Sequence, residues 1–160
     1  MNYLFFIAVL FCQSMAWAEP LIERVRVLKS EHKLQLVSEG KIIREFKIAL
    51  GANPKGHKQQ EGDGKTPEGI YALDYKKSDS AFYRAIHISY PNSTDVASAK
   101  ARNVSPGGQI MIHGQKNGFG WLAFISQRFD WTNGCVALSN DDMNIVWTLV
   151  REGTTIEIVP

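Results

Sequence analysis

Asp130-Trp131-Thr132-Asn133-Gly134-Cys135-Val136-Ala137-Leu138 is a polar loop that lies shortly before a predicted helix, and the expected fold is built outward from it. A glycine directly before a cysteine lets the backbone turn tightly, so the amides of Gly134 and Cys135 are expected to face a negatively charged oxygen. A helix that begins shortly afterwards favours a thiolate. The stretch therefore predicts a nucleophilic cysteine. The alternative is that Cys135 is a small buried apolar residue, as most unpaired cysteines are.

A histidine at the end of an apolar strand is the expected partner of this cysteine. Ile110-Met111-Ile112 precedes His113, and Gly114 follows it, so the imidazole can project at the edge of a sheet. A cysteine nucleophile needs a base within hydrogen-bond reach, and that base needs a third group to orient it. We therefore predict that His113 is the acid/base partner. The alternative is a structural histidine at a strand end.

The other three histidines give competing sites. His32 lies in a predicted turn, and His57 lies in the polar loop that starts at Gly51. His87 alternates with apolar neighbours, so it either lines the site or has a structural role. A zinc site of Cys135 with two histidines is a further alternative. Because the sequence contains no compact ligand pair such as C-x-x-C or H-x-x-x-H, we expect no metal.

The rest of the chain predicts an α+β fold that is mostly β. Two-residue alternation of apolar and polar residues between Leu21 and Leu50 indicates three short antiparallel strands. Residues 51–65 read as a surface loop. Four further strands are expected at Ile70–Leu73, Ala85–Ser89, Gln109–His113 and Thr155–Val159.

Two helices are predicted. Residues 94–102 are rich in alanine and have helical character. A short C-terminal helix follows the Cys135 loop, because Ser139 can cap it and one apolar stripe runs along it. That stripe consists of Met143, Val146, Trp147 and Val150.

The first eighteen residues predict export. They carry no charged side chain, and the apolar run Leu4–Phe11 precedes Ala16-Trp17-Ala18, which fits a signal peptide cleaved after Ala18. Eight apolar residues are too few to span a bilayer, so we expect no stable membrane span after signal removal. The expected organisation is a signal peptide at 1–18 and one periplasmic domain at 19–160.

The cysteine count indicates a reactive or paired thiol, and the net charge argues against a nucleic-acid partner. The chain has 2 cysteines, and Cys12 leaves with the signal, so a single thiol enters an oxidising compartment. Such a thiol is either reactive or an intermolecular partner. The net charge of +2 lacks the basic excess of a dedicated nucleic-acid binder, so no nucleic-acid partner is expected.

Together these motifs resemble the L,D-transpeptidase catalytic domain family (YkuD-like). Ile112-His113-Gly114 and the later Thr132-Asn133-Gly134-Cys135 resemble the family signature His-Gly, spacer, Ser/Thr-x-Gly-Cys. The stretch 62–71, GDGKTPEGIY, is similar to the family's GD-x-x-TP-x-G-x-Y segment. His87-Ile88-Ser89-Tyr90-Pro91-Asn92 and Asp130-Trp131-Thr132 resemble the YafK-type branch. The resemblance covers nearly all of residues 19–160.

The resemblance implies a mostly β catalytic domain that acts on peptidoglycan stem peptides without a cofactor. Cys135 would attack the amide between the L-centre of diaminopimelate and D-alanine, releasing D-alanine and leaving an acyl-enzyme. His113 would move the proton, the Gly114 carbonyl would orient His113, and the Gly134 and Cys135 amides would form the oxyanion hole. An acceptor amine would give a cross-link or a wall-linked lipoprotein, whereas water would give hydrolysis.

The resemblance also leaves substrate contacts and the acceptor open. Many family members have His where this chain has Asn133, and Arg or Asn where it has Ala137. The expected substrate-binding residues are Thr132, Asn133, His87, Tyr90 and Lys58. Further candidates for contact with stem-peptide carboxylates are Lys55, Arg84 and Arg102.

Several functions remain open at this point. The first is a transpeptidase of cell-wall remodelling and cell shape. The second is an L,D-carboxypeptidase, or an amidase that frees wall-bound lipoprotein. A non-catalytic peptidoglycan-binding protein and a secreted toxin are further alternatives.

Overall fold

The computed structural model describes residues 20–160, so the predicted signal peptide at 1–18 lies outside the described residues. In this part of the chain eight strands form one mixed sheet in the order β3-β2-β1-β8-β4-β5-β6-β7. The strands are β1 Arg24–Leu28, β2 Lys33–Ser38, β3 Lys41–Lys47, β4 Gly69–Ser80, β5 Tyr83–Ile88, β6 Met111–His113, β7 Val136–Ala137 and β8 Thr154–Val159. The helices are α1 Ser93–Ala101, α2 Ala123–Ser126 and α3 Asn140–Leu149, with a 3₁₀ turn at Gly120–Leu122 before α2.

The first three strands form the antiparallel meander that the alternation predicts. Val25 and Val27 of β1 are fully buried, and they pair with Leu36 and Leu34 of β2. Their polar neighbours point away from the core, as a sheet with one buried face requires. β1 also pairs in parallel with β8, which joins the meander to the rest of the sheet. The predicted α+β, mostly β fold is confirmed.

The predicted C-terminal helix α3 is confirmed directly after the Cys135 loop. Ser139 is its N-cap, and the Ser139 hydroxyl accepts a hydrogen bond from the Asp142 amide at 3.1 Å. Met143 and Val146 are fully buried, so the apolar stripe attaches the helix to the core. Helix α1 begins one residue earlier than expected because Asn92 and Asp95 form a capping box.

The structure differs from the sequence prediction in three places, of which the first is β7, because no strand was predicted at Val136–Ala137. β4 continues to Ser80, although only Ile70–Leu73 was expected, because its distal half pairs with β5 through irregular register and carries mostly exposed polar side chains. The turn Gly120–Leu122 and α2 were not predicted. Their large apolar side chains face outward, so the segment lacks the inward apolar stripe by which a helix is recognised.

β5, β6 and β7, at one end of the sheet, determine where His113 and the Cys135 loop lie. β6 pairs antiparallel with β5, and Ala85 lies opposite His113. β6 pairs in parallel with β7, and His113 lies opposite Ala137. Among residues 20–160, no helix is both long and apolar enough to cross a membrane.

Candidate active site

His113 and Cys135 are brought to one cleft by the pairing of β6 with β7. His113 lies opposite Ala137, and Cys135 precedes Ala137 by two residues. Because side chains alternate along extended backbone, residues two apart project from the same face of the sheet. Both side chains line one cleft of ≈ 450 Å³, which we call the Cys135 cleft. Its lining residues are Ser80, Phe82, Ala85, Gln109, Met111, His113, Lys116, Trp131, Thr132, Asn133 and Cys135.

The imidazole of His113 is fixed in one tautomer. Its Nδ1 lies 2.7 Å from the carbonyl oxygen of Gly114, which can only accept a hydrogen bond. Nδ1 therefore carries the proton, and the lone pair of a neutral ring is on Nε2. The side chain is 4% exposed, and burial lowers its pKa, opposed by the hydrogen bond to Gly114. The neutral, proton-accepting form is therefore favoured.

Aromatic side chains hold this ring from two sides. The Phe82 and His113 ring centroids are 4.7 Å apart, and the Trp131 and His113 centroids are 5.8 Å apart in an edge-to-face arrangement. Both aromatic residues also line the cleft. The ring of His113 is therefore oriented by packing as well as by the Gly114 carbonyl.

The thiol of Cys135 is partly buried and protonated at rest. Its Sγ lies 3.7 Å from the carbonyl oxygen of Gln109, to which the S–H donates. Burial raises the thiol pKa, and a backbone hydrogen bond from Met111 and the positive charge of Lys58 oppose that effect. Desolvation outweighs the groups that stabilise the anion, so the net effect is a raised thiol pKa. The contribution of the following helix to a thiolate stays a prediction. Removal of the thiol proton requires a base.

The loop before Cys135 is folded by the side chain of Thr132. The buried Thr132 hydroxyl donates to the Cys135 carbonyl at 2.8 Å and accepts from the Gly134 amide at 3.1 Å. The Gly134 amide is thus already engaged, which corrects the expectation that it faces an oxyanion freely. The backbone around the loop is tied to residues 49–52 by four hydrogen bonds within the described part of the chain, of 2.8 to 3.1 Å.

Gly134 is required for this packing. Its φ is +118°, and a Cβ built there would lie 2.6 Å from the Lys65 carbonyl oxygen. We expect Gly134→Ala to lower the Tm by roughly 5 °C or more, because backbone must move to relieve the overlap. The matched control is Gly118→Ala, whose φ is +84° but whose Cβ would meet nothing within 4 Å. Thermal unfolding followed by circular dichroism compares the two. Equal Tm values for both variants would contradict the close packing.

Two of the five expected substrate-binding residues line the cleft. Thr132 is buried and stabilises the loop before Cys135, whereas Asn133 is exposed at the rim of the cleft. His87 lies beside the cleft on the same face of the sheet, opposite Met111. Its Nδ1 is 2.7 Å from Asp74 Oδ1, its ring stacks on Tyr75 at 4.5 Å, and its buried Nε2 has no hydrogen-bond partner among residues 20–160.

The structure does not bring Tyr90 or Lys58 into the cleft. The Tyr90 hydroxyl donates to the Pro106 carbonyl at 3.0 Å, and burial raises the pKa of Tyr90 to about 12. Lys58 is buried against Asp63, with 2.8 Å between Nζ and Oδ1. Burial acts to raise the pKa of Asp63, but hydrogen bonds that include those from the Gln59 amide and Lys58 lower it to about 2. Tyr90 and Lys58 therefore have structural partners, and Lys58 acts on Cys135 through its charge.

The other expected cations also lie elsewhere. Lys55 lines a second cleft of ≈ 430 Å³ with Lys29 and Glu68. Arg84 lies over the Trp147 ring at 5.3 Å, and Arg102 donates to the Gln59 carbonyl at 2.8 Å.

Lys116 is a cleft residue that the sequence analysis missed. Among residues 20–160 it is the one Lys or Arg side chain that lines the Cys135 cleft. Lys116 could have been found from its position, because it lies three residues after His113 and between the His-Gly and Gly-Cys motifs. Trp131, Phe82, Gln109 and Met111 were likewise not predicted as cleft residues.

The two remaining histidines have acidic partners. His32 Nε2 lies 3.0 Å from Asp130, whose Oδ1 accepts from the Leu50 amide, so this pair anchors the start of the Cys135 loop. His57 Nδ1 accepts from the Glu68 amide, so its Nε2–H donates to Asp95 at 3.0 Å. In residues 20–160, no three His, Cys, Asp or Glu side chains are placed to hold a metal ion.

Comparison with known families places the chain in one of them. Residues 22–158 match YkuD, the L,D-transpeptidase catalytic domain. The match covers most of the chain, and the eight-stranded sheet seen in residues 20–160, with the His-Gly and Gly-Cys motifs at its end, agrees with it. The chain belongs to the family of L,D-transpeptidase catalytic domains, which confirms the resemblance drawn from the motifs.

Individual relatives share only part of their length with this chain. YafK of Escherichia coli (strain K12), whose name assigns it to the L,D-transpeptidases, is 32% identical over 112 residues, which are 66% of this chain and 44% of YafK. The helical cell shape determining protein Pgp2 of Campylobacter jejuni superposes with a TM-score of 0.64 at 26% identity, over 88% of this chain and 51% of Pgp2. Bd1075 of Bdellovibrio bacteriovorus gives a TM-score of 0.62 at 25% identity, over 91% of this chain and 50% of that protein. The chain thus spans about half the length of these relatives.

Proposed function

We propose that this protein is an exported peptidoglycan L,D-transpeptidase that uses Cys135 as nucleophile and His113 as acid and base. The observation that carries the proposal is the hydrogen bond from His113 Nδ1 to the Gly114 carbonyl. It leaves the basic Nε2 in the same cleft as the Cys135 thiol. A nucleophile, a base and a group that orients the base are the three parts that covalent catalysis by cysteine requires.

The first half-reaction releases D-alanine from a stem tetrapeptide. His113 Nε2 accepts the thiol proton while Cys135 Sγ bonds to the carbonyl carbon at the L-centre of diaminopimelate. The Cys135 amide is the proposed donor to the oxyanion, because the Gly134 amide is used by Thr132. The tetrahedral intermediate then collapses, the carbon–nitrogen bond breaks, and protonated His113 gives its proton to the leaving amine. A thioester on Cys135 and a neutral His113 remain.

The second half-reaction transfers the acyl group to an amine. The acceptor amine of another stem peptide, or of a lipoprotein, attacks the thioester carbonyl, and His113 takes the proton that the amine loses. The carbon–sulfur bond breaks, and the proton returns to Sγ. The products are a new amide and the protonated thiol. The neutral resting pair suits this cycle, since burial favours the uncharged forms of both His113 and Cys135.

Hydrolysis of the thioester is the second candidate, and the uncharged Asn133 at the rim of the Cys135 cleft favours it. Asn133 is exposed there and carries no charge, where many family members have a histidine. An acceptor stem peptide carries carboxylates, and an amide compensates a carboxylate less well than a cation does. Water needs no such partner. A carboxypeptidase, or an amidase that frees a wall-bound lipoprotein, would use the same acyl-enzyme.

Incubation of residues 19–160 with purified disaccharide tetrapeptides, followed by mass spectrometry, tests the proposal. We expect loss of D-alanine together with dimers that lack one D-alanine. Loss of D-alanine without dimers would instead establish the hydrolase. The Lys116→Gln variant distinguishes substrate binding from the chemical step, because it removes the cation that lines the cleft and leaves His113 and Cys135 unchanged. Unchanged substrate masses with folded wild-type protein would overturn the proposal.

A further inference from the structure

The segment between His113 and Cys135 has inverted polarity. Trp121, Phe124 and Phe129 are 72%, 63% and 65% exposed. Two glutamines are buried instead: Gln115 donates to the Leu138 carbonyl, and Gln127 has no hydrogen-bond partner for either amide atom among residues 20–160. A helical turn that packs against a core normally does the reverse. The fold therefore presents these apolar side chains to the outside.

The exposed apolar side chains are concentrated in one segment, residues 119–129. Trp121, Phe124 and Ile125 are three and four positions apart across the 3₁₀ turn and α2, so they share one face of the helical segment. Phe119 and Phe129 flank that segment and are also exposed. We call this set, Phe119, Trp121, Phe124, Ile125 and Phe129, the aromatic lip. A whole aromatic side chain has an area of roughly 150–250 Å². The four rings of the lip are about half to three-quarters exposed, so together they still reach the several hundred Å² that mark interaction sites.

The aromatic lip is continuous with the Cys135 cleft. Lys116 lines the cleft, and its Nζ lies 5.8 Å from the centre of the Phe119 ring, the first ring of the lip. The charged side chains of residues 115–129 are Lys116 and Arg128, and the segment contains no Asp or Glu. A ligand that leaves the cleft over this edge meets a cation first and then a surface of rings.

We propose that the aromatic lip binds the glycan strand to which the stem peptide is attached. The inference rests on the proposed function and names the part of the substrate that lies outside the cleft. The bond attacked by Cys135 is three residues from the sugar, which is a span of about 10–11 Å of extended chain. A glycan attached to a bound peptide must therefore lie close to the edges of the cleft.

The chemistry of the polymer fits the lip on two counts. The C–H faces of sugar rings pack flat on aromatic rings, while their hydroxyl groups remain in water. The stem peptides along the strand carry carboxylates, which complement Lys116 and Arg128. A lipid surface fits less well, because interfacial helices present a long apolar face with many Lys and Arg residues. The lip offers two short turns and two cations.

The double variant Trp121→Ala/Phe124→Ala tests the inference in the folded protein of residues 19–160. Two substrates are compared: tetrapeptides carried on glycan chains, and the free tetrapeptide without sugar. We expect the KM for the glycan-linked substrate to rise roughly tenfold, because two central rings are lost, whereas kcat/KM for the free peptide stays within about twofold. The matched control is Ile70→Ala/Val96→Ala, which removes two side chains that are 67% and 47% exposed outside the lip. It should leave both substrates unchanged.

A direct binding assay makes the result independent of turnover. Wild-type protein should co-sediment with glycan strands stripped of their peptides, and the Trp121→Ala/Phe124→Ala variant should not. Equal effects of that variant on both substrates, or none on either, would overturn the inference. Loss of binding to anionic phospholipid vesicles, with glycan binding unchanged, would overturn it in favour of a lipid surface. If neither substrate is turned over by wild-type protein, the proposed function fails, while co-sedimentation still decides whether the lip binds glycan.

Discussion

Replacement of Cys135 by alanine is expected to lower kcat/KM for tetrapeptide turnover by a factor on the order of 10⁵. The physical reason is that no acyl-enzyme can form without the sulfur. The hydroxyl of Thr132 also lines the cleft, but it is buried and donates to the Cys135 carbonyl, so it cannot replace the thiol. Release of D-alanine, followed by mass spectrometry, measures the loss.

Fold and chemistry can be separated in the same experiment. The Cys135→Ala change removes one sulfur atom from a partly buried position, so the Tm should shift by only a few degrees. Intact-mass measurement should show an acyl adduct on wild-type protein and none on the variant. Gly118→Ala, which alters an open loop position, should keep wild-type turnover. Turnover by Cys135→Ala above about one per cent of wild type would rule out the nucleophile assignment.

The two motifs that contain His113 and Cys135 were predictable because each is a local pattern in the sequence. An apolar strand that ends in His-Gly and a polar loop that contains Gly-Cys can each be read within ten residues of sequence. The family resemblance then placed both motifs in one site. The parallel pairing of β6 with β7 that joins them in the structure involves residues more than twenty positions apart, and no local pattern encodes that pairing.

Side-chain partners inside the fold account for the expectations that the structure did not meet. Tyr90 and Lys58 appear in the sequence as exposed polar groups beside family motifs, yet Pro106 and Asp63 satisfy their hydrogen bonds inside the fold. Asp74 is thirteen residues from His87 and reaches it only because β4 and β5 pair. The contact between Asp74 and His87 depends on strand register, and a change of one residue in register moves every side chain of a strand to the other face.

Desolvation explains why the state of the thiol was also beyond the sequence. The Gly-Cys motif and the following helix favoured a thiolate, but burial of the thiol is a property of the tertiary fold, in which residues 49–52 and β6 pair with the backbone near Cys135. Burial raises the thiol pKa and lowers the imidazole pKa, so the resting pair is neutral. The proton must then move from Sγ to Nε2 during attack, which makes His113 the residue on which pH dependence is expected to rest.

Replacement of His113 by glutamine is expected to lower kcat/KM by roughly 10²–10⁴-fold, which is the usual contribution of a general acid and base. Glutamine retains an N–H that can donate to the Gly114 carbonyl, but its side chain cannot accept a proton from the thiol. Cys135 remains in place, so iodoacetamide should still label it once the pH exceeds the raised thiol pKa. Labelling at high pH therefore shows that the thiol is chemically intact, and an unchanged circular dichroism spectrum shows that the variant is folded.

The pH profile gives His113→Gln a readout that mere disruption of the cleft would not produce. Burial lowers the His113 pKa below the ordinary histidine value of about 6.5. In wild-type protein the imidazole is therefore neutral at any pH above that lowered pKa. Activity should fall as the pH drops through that lowered pKa, because the protonated ring cannot act as a base. Stability should fall in the same direction, since the unfolded chain binds a proton there more readily than the folded one. His113→Gln should lose the acidic limb of the kcat/KM profile. If the variant kept this limb, or if its kcat/KM fell less than threefold, another group would take the thiol proton.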